Sequence, residues 1–299
     1  MLSTEQFGFN AFWWEKLWED DEIKRCASSL SRIGYKAVEF KLDSFNPSKS
    51  MKDEFARAVR IAREEGLEVS NFVILRDVAD SKNRDKGIAD VKRCIQAVSG
   101  AGVNKLNLIT GGVPNGVSLD EKKWWLPKKP LLAMAWDNIL GAFEQFLKLA
   151  EKEKVYLVVE ACVGQIVHDY YSTLELMRHF DSEYLCLTLD PSHYQLYRND
   201  IPWAIRQWKD KIKHVHVKDT VGVPGEFGVD FLFPILGEGA INWNEFFRAL
   251  DEIEYKGYLS VEFESFKYMD EVLGNNPSKA AEISMESLQK LWRQHKEMR

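Results

Sequence analysis

The sequence lacks the features of several protein classes. No apolar run approaches the roughly 18 residues that a transmembrane helix needs, so no membrane span is expected. The four cysteines, Cys26, Cys94, Cys162 and Cys186, form no CxxC pair and lie in apolar patterns, which indicates reduced core thiols. The first residues contain no basic stretch followed by an apolar run, so no secretory signal is predicted and a cytoplasmic location is expected.

An excess of positive charge is also missing. The formal net charge is -6, and an acidic chain repels phosphate backbones, so nucleic acid is not an expected partner. The turn after the first predicted strand, NAFWWEKLW, has no glycine-rich phosphate loop, which open doubly wound sheets usually carry there. These absences disfavour a dinucleotide-type open sheet and a nucleic-acid-binding protein.

The chain does contain a regular alternation of short apolar strand patterns and longer amphipathic helical patterns. The predicted strands cover 6–12, 36–41, 67–74, 104–110, 155–161, 184–190, 212–218 and 257–263. The predicted helices cover 21–33, 50–65, 84–100, 131–152, 171–180, 200–209, 243–252 and 278–297. Eight β-then-α units predict an α/β protein with a closed (β/α)8 TIM barrel, formed by a single domain over residues 1–299. An open sheet is the alternative.

Two features concern the connections between these elements. Gly34, Gly66, Gly102 and Gly257 stand just before predicted strands, where a left-handed glycine ends the preceding helix. Residues 111–130, GGVPNGVSLDEKKWWLPKKP, are too long for an ordinary loop between a strand and a helix. They predict a loop insertion after the fourth strand that acts as a lid or subunit contact, with a plain surface insertion as the alternative.

Polar side chains stand at the ends of the last four predicted strands, where the active site of such a barrel lies. The candidate metal ligands, one from each strand, are Glu160, Asp190, His216 and Glu262. Side chains alternate along a strand, so His214, His216 and Lys218 share one face of the seventh strand, which is predicted to point into the barrel. By the same rule Glu262 and Glu264 share a face, and parity alone does not say which of them is the ligand.

Charged groups inside a barrel are costly unless they are paired or bind a metal ion. Three carboxylates and one or two imidazoles match the ligands of one divalent ion, and mostly oxygen ligands favour Mn2+ or Mg2+ over a thiolate-type zinc site. Co2+ and Zn2+ are further candidates. The alternative is a structural ion-pair network without a metal.

Four segments together resemble the sugar-phosphate isomerase/epimerase superfamily, whose members have a xylose-isomerase-like barrel. The segments are VVEACVGQIVHD, LTLDPSH, HVHVKDT and GYLSVEFES. The superfamily includes ketose 3-epimerases, inosose dehydratase and a DNA-repair endonuclease type. By position, the resemblance makes the same four residues the metal ligands and makes Glu160 and Glu262 a proton-shuttling pair. It also places His193 in contact with the substrate and implies a homo-oligomer.

The chain departs from this resemblance at two places. Ketose 3-epimerases carry an arginine six residues after the ligand of the seventh strand, where this chain has Gly222, and HVHVKD is closer to the inosose-dehydratase-like branch. The endonuclease type needs three metals and an Asp-x-His after that strand, where this chain has Asp230, Phe231 and Leu232. The segments GEFG, FLFP and VEFESFKY are also similar to barrel subunits of bacterial C-glycoside deglycosidases, which implies a small partner subunit.

Three hypotheses for the function follow. The first is a metal-dependent isomerase or epimerase of a keto sugar or related polyol, in which Glu160 or Glu262 removes a proton next to a polarised carbonyl and the other glutamate returns a proton to the enediolate. The second is a metal-dependent lyase on the same site, either a dehydratase or a C-glycoside deglycosidase acting on a 3-keto sugar. The third is a sugar-binding or assembly module without catalysis. The candidate substrate contacts are His193, Lys218, His168 and Trp124.

Overall fold

The computed structural model describes residues 1–112 and 132–298. The barrel strands are β1 Phe7–Asn10, β2 Ala37–Lys41, β3 Glu68–Ile74, β4 Lys105–Leu108, β5 Tyr156–Glu160, β6 Leu185–Leu189, β7 Ile212–Val217 and β10 Leu259–Val261. They close into a parallel barrel in the spatial order β1-β10-β7-β6-β5-β4-β3-β2. Each strand lies inside a predicted strand, and the predicted TIM barrel is confirmed.

Ten α-helices occur in the described part of the chain. They are α1 Asp20–Ile33, α2 Met51–Glu64, α3 Arg84–Gly100, α4 Leu132–Glu153, α5 Tyr170–Arg178, α6 Pro191–Leu196, α7 Ile201–Trp208, α8 Trp243–Glu252, α9 Phe266–Glu271 and α10 Pro277–Glu297. The eight predicted helices agree with these within two residues at each end. The short helices α6 and α9 were not predicted, because six residues are too few to show a helical period.

The hydrophobic core lies between the barrel and its helices. Outward-facing strand residues such as Phe9, Val38 and Leu187 are buried there, because helices cover the outer surface of a parallel barrel. Phe55 of α2 stacks on Phe72 of β3 with the ring centroids 3.8 Å apart. The four cysteines are free thiols, of which Cys26, Cys94 and Cys186 are buried in the core and Cys162 is half-buried.

Three of the four predicted glycine caps are present in the structure, and one is not. The first three predicted glycine caps have positive φ angles, between 72° and 110°. The prediction of a left-handed cap at Gly257 is wrong, since the chain turns at Glu254 instead, with a φ of 55°. A Cβ at Gly257 would lie 2.2 Å from the hydroxyl oxygen of Tyr255, so glycine is needed there for space.

The predicted insertion at 111–130 falls almost entirely outside the described residues, which include only Gly111 and Gly112 of it. The lid or subunit contact expected there stays a prediction. Among the helices within 1–112 and 132–298, none is long and apolar enough to cross a membrane.

An antiparallel hairpin of β8 Val221–Gly222 and β9 Phe231–Leu232 follows β7. Just after it, Phe233 joins Phe231, Val163 and Leu196 in a small hydrophobic cluster separate from the main core. The centroid of the Phe233 ring is 4.7 Å from the Nζ atom of Lys218. The cluster therefore forms an apolar wall beside the polar end of the barrel.

The loop before α8 is organised by Asp219, which is buried. Its carboxylate accepts hydrogen bonds from the backbone N–H of Gly237 at 3.0 Å, from the backbone N–H of Ile241 at 3.2 Å and from Trp243 Nε1 at 2.9 Å. Gly239 passes so close that a Cβ there would lie 2.0 Å from Asp219 Oδ1. Asp219 thus holds the loop at the mouth of the barrel.

Candidate active site

The carboxyl ends of β5, β6, β7 and β10 bring the four candidate ligands together, because a barrel directs the ends of all its strands to one face. Glu160 ends β5, Asp190 follows β6, His216 lies in β7, and Glu262 follows β10. One oxygen or nitrogen atom of each lies within 4.8 Å of those of the other three. His216 Nδ1 is 3.1 Å from Glu160 Oε1, 3.5 Å from Glu262 Oε2 and 3.9 Å from Asp190 Oδ2. We call these four residues the ligand set.

The ligand set has the chemistry of a site for one divalent cation. Its side chains are at most 10% exposed, and buried carboxylates need a compensating positive charge. Asp190 uses Oδ1 to cap α6, accepting a hydrogen bond from the backbone N–H of Ser192 at 2.8 Å, while Oδ2 is directed to the other ligand atoms. Three carboxylate oxygens and one imidazole nitrogen suit Mn2+ or Mg2+ and are accepted by Co2+ and Zn2+.

Lys218 places a positive charge beside the ligand set. Its Nζ atom is 2.6 Å from Glu262 Oε2, 2.8 Å from Glu264 Oε2 and 2.9 Å from Asp190 Oδ2. Burial alone would lower the pKa of Lys218, but the surrounding carboxylates raise it well above the ordinary value. Glu264 contacts Lys218, whereas Glu262 has an oxygen within 4.8 Å of the donor atoms of Glu160, Asp190 and His216.

The charges of the site also shift the pKa values of other groups. Burial opposes the charged form of His216, but Glu262, Glu39 and Glu160 raise its pKa well above the usual value. Burial raises the pKa of Glu264 to about 7, although Lys218 acts in the opposite direction. The surrounding carboxylates therefore favour the charged form of His216, whereas burial favours the neutral form of Glu264.

His193 lies on α6 beside the ligand set and is 1% exposed. Its Nδ1 accepts a hydrogen bond from the backbone N–H of Val163 at 3.3 Å. Its Nε2 is 3.5 Å from Asp190 Oδ2 and 3.8 Å from Glu160 Oε1. Burial and the charge of Lys218 lower the pKa of His193 to about 3, so the ring is neutral and carries its proton on Nε2, which faces the site.

Of the other two predicted substrate contacts, only His168 lies in the described part of the chain, and it is not in this group. His168 is half-buried, and its Nδ1 is 3.0 Å from the carbonyl oxygens of Gln165 and Ile166. Its ring lies 4.5 Å from that of Tyr197. A substrate contact by His168 stays a prediction, and Trp124 lies outside the described residues.

The first four strands supply buried polar groups that the sequence patterns did not predict. Glu39 of β2 is fully buried and lies at the centre of this group. It accepts hydrogen bonds from Asn10 Nδ2 at 2.8 Å and from Asn71 Nδ2 at 3.0 Å, and its Oε1 is 2.9 Å from His216 Nε2. The available signal was a charged residue flanked by apolar residues within a strand, as Glu39 is in AVEF, since such a buried residue must be hydrogen-bonded.

Two asparagines hold the two glutamates of the ligand set. Asn107 Nδ2 donates to Glu160 Oε2 at 3.1 Å, and Asn10 Nδ2 donates to Glu262 Oε1 at 3.0 Å. In both glutamates the other oxygen is the one that lies 3.1 or 3.5 Å from the His216 imidazole. The two oxygens of each carboxylate therefore have different partners.

The sequence matches the family described as xylose isomerase-like TIM barrel over residues 28–291. Because the match covers most of the chain, and the closed eight-stranded barrel agrees with it, the chain belongs to this family.

Comparison with individual proteins gives more distant likenesses. An inosose dehydratase from Bacillus cereus strain AH820 is 27% identical over 140 residues, which are 43% of this chain and 47% of that protein. The match thus spans about half the length of this curated relative. The structure of an L-ribulose 3-epimerase superposes with a TM-score of 0.73 at 18% identity, covering 98% of this chain and 96% of the other. A 3-keto-D-glucoside 4-epimerase from E. coli gives a TM-score of 0.69 at 14% identity, with coverage of 96% and 99%. Because the sequence identities are below 25%, these two likenesses show only that the chain shares its fold with both epimerases.

Proposed function

We propose that the chain is a metal-dependent isomerase or epimerase of a keto sugar or related polyol. The observation that carries this proposal is the ligand set, in which one donor atom from each of Glu160, Asp190, His216 and Glu262 lies within 4.8 Å of the others. These four residues would hold one divalent ion, with Mn2+ as the first candidate and Mg2+, Co2+ or Zn2+ as the others. When bound, the ion would polarise a substrate carbonyl and stabilise negative charge that develops on its oxygen.

The two glutamates would carry the proton. Glu160 and Glu262 lie at the carboxyl ends of different strands, β5 and β10, which are not neighbours in the barrel. One glutamate removes the proton from the carbon next to the carbonyl and leaves an enediolate, and the other returns a proton to the opposite face or to the adjacent carbon. The amides of Asn107 and Asn10 each fix one oxygen of these carboxylates, which orients the second oxygen.

His193 and Lys218 would bind the substrate oxygens. The neutral His193 ring presents an Nε2–H donor to the site, as its Nδ1 accepts from the backbone of Val163. The Lys218 ammonium would compensate for negative charge on the substrate, in addition to that of Asp190 and Glu262. Both groups are buried, so their interactions with a substrate would be little weakened by water.

A lyase acting on the same site is the second candidate. The partial likeness to an inosose dehydratase supports it. The position of Lys218 is compatible with it, because a buried ammonium group beside the ligand set would stabilise negative charge that develops on a leaving oxygen. In this reading the enolate expels a substituent next to the acidic carbon, as in dehydration or in C-glycoside cleavage of a 3-keto sugar. If the chain is a C-glycoside deglycosidase, we expect it to bind a small partner subunit.

The remaining expectations are part of the same proposal. We infer a carbohydrate as the substrate, a homo-oligomer as the assembly and the cytoplasm as the location. The net charge of -6 makes nucleic acid an unsuitable partner.

The test is product analysis with metal-stripped protein to which Mn2+ is added back. D-allulose, D-fructose, an inosose and a 3-keto glucoside are incubated in D2O, and products are followed by NMR. An epimerase or isomerase produces an isomeric sugar with deuterium at the reacting carbon, whereas a lyase produces an unsaturated product. Glu160→Gln and Glu262→Gln are expected to abolish turnover, while Glu252→Gln, a surface carboxylate paired with Arg206, serves as the matched control. Turnover at the wild-type rate in both active-site variants would refute the mechanism.

A further inference from the structure

Behind the imidazole of His216 lies a second group of buried titratable residues, formed by Glu39, His214 and His216 itself. All three are 0% exposed. His214 Nε2 is 2.5 Å from Glu39 Oε2, and His216 Nε2 is 2.9 Å from Glu39 Oε1. Neither Glu39 nor His214 takes part in the proposed proton transfer, so their burial inside the barrel requires another explanation.

The geometry argues against a second metal ion at this group. Two ligand atoms at 2.0–2.1 Å from a tetrahedral ion lie about 3.3 Å apart, whereas the Glu39–histidine distances are 2.5 and 2.9 Å. Both oxygens of Glu39 also accept amide hydrogens, Oε1 from Asn10 and Oε2 from Asn71. These amide hydrogens would repel a cation. The three residues therefore form a hydrogen-bonded unit.

The hydrogen bonds assign the imidazole protons. A carboxylate that already holds two amide donors accepts hydrogen bonds and donates none, so each histidine donates its Nε2 proton to Glu39. Within the described residues, His214 Nδ1 has no hydrogen-bond partner, so Nε2 is the atom by which the fold holds this ring. In His216 the same bond fixes a proton on Nε2 and directs Nδ1 to the ligand set, 3.1 Å from Glu160 Oε1.

We propose that Glu39 is a positioning residue: it holds the Nε2 proton of His216 and so turns Nδ1 toward the ligand set, where Nδ1 binds a divalent ion in place of a proton, while His214 braces Glu39 through its other carboxylate oxygen. The metal-binding part of this inference rests on the proposed function. A histidine that binds a metal commonly donates its other N–H to a carboxylate, and loss of that carboxylate lowers metal affinity by about 10- to 100-fold. Glu39 meets this description because it lies on the far side of the imidazole from the ligand set.

The first measurement is calorimetric titration of the metal-free full-length chain with Mn2+ alone. Glu39→Gln is expected to bind Mn2+ about 10- to 100-fold more weakly than the wild type, because the amide cannot accept all four hydrogen bonds. The matched control is Glu54→Gln, which alters another buried, hydrogen-bonded glutamate on α2, paired with Arg57 at 2.7 Å. It is expected to bind Mn2+ like the wild type. Unchanged affinity in Glu39→Gln, or two Mn2+ ions per wild-type chain, would overturn the inference.

The second measurement does not depend on a metal. Long-range 1H–15N NMR of histidine-labelled, metal-free protein is expected to show a protonated Nε2 in both His214 and His216, and the His216 signal is expected to change in Glu39→Gln. A bare Nε2 on His216 in the wild type would contradict the assignment. A wild type that binds no Mn2+ but retains this proton would refute the proposed function while leaving the Glu39 hydrogen bonds supported. If Glu39→Gln does not fold, Glu39→Asp is tested instead. Its side chain is one methylene shorter, so the carboxylate no longer reaches His216 and Mn2+ binding must also weaken.

Discussion

Replacement of Lys218 by methionine tests the charge balance of the site. The Lys218 side chain is 3% exposed, and its ammonium contacts Asp190, Glu262 and Glu264 at 2.6–2.9 Å. Methionine keeps most of the length of the side chain and removes the charge. Removal of one partner from a buried ion pair costs about 3–5 kcal/mol, because the other partner is left uncompensated. We therefore expect Lys218→Met to lower the free energy of unfolding by about 3–5 kcal/mol in EDTA.

Mn2+ is expected to reverse this loss. Two of the carboxylates that contact Lys218, those of Asp190 and Glu262, belong to the ligand set. The ammonium therefore repels a cation bound by the same oxygens, and unit charges about 4 Å apart interact by about 4 kcal/mol at an effective dielectric constant of about 20. Removal of the ammonium is therefore expected to strengthen Mn2+ binding. At a given Mn2+ concentration, tighter binding raises the free energy of unfolding by a larger amount.

The assay is denaturant unfolding followed by circular dichroism, in EDTA and in excess Mn2+. Lys213→Met is the matched control, because Lys213 lies on the same strand and its Nζ atom is 5.5 Å from the ring centroid of Tyr156. The control is expected to unfold like the wild type in both buffers. A Lys218→Met variant that is as stable as the wild type in EDTA would refute the reasoning, as would one that gains less stability from Mn2+ than the wild type does.

Two further predictions concern single contacts. Asn107→Leu removes the donor to Glu160 Oε2, and loss of a hydrogen bond to a charged group, about 1.5–3 kcal/mol, is expected to lower kcat about 10- to 100-fold with little change in KM. Steady-state kinetics on the converted sugar checks this, and a wild-type kcat would count against the positioning role. Gly239→Ala forces a Cβ to within 2.0 Å of Asp219 Oδ1 and is expected to cost about 1–3 kcal/mol in thermal unfolding. Gly100→Ala, whose new Cβ would lie 3.4 Å from a carbon of the flexible Lys52 side chain, should show no such loss.

The barrel was predictable because its signals are local. Short apolar runs and amphipathic periods identify strands and helices without knowledge of the rest of the chain. The alternation of side chains also predicted that His214, His216 and Lys218 share the inner face of β7, and all three are buried among carboxylates. The choice between Glu262 and Glu264 was not predictable, because residues two apart share a face and differ only in depth along the barrel.

The hydrogen-bond donors of the site were not predictable for a different reason. Asn10 and Glu39 are 29 residues apart in sequence, and Glu39 and His216 are 177 residues apart. An isolated polar residue in a strand acquires its partner only when the barrel closes, so no local pattern identifies that partner. The β8–β9 hairpin escaped prediction because each of its strands has only two residues.

The pairing of β1 with β10 determines when the candidate active site is completed during folding. Asn10 on β1 donates to Glu39 on β2 and also to Glu262 beyond β10, so one side chain spans the seam where the first and last strands of the barrel meet. The ligand set comes from the later half of the chain, and the donors that orient it come from the earlier half. A chain that has not yet paired β1 with β10 would lack the Asn10 hydrogen bond to Glu262. The carboxylates of the ligand set would therefore be fully oriented only after this last strand pair forms.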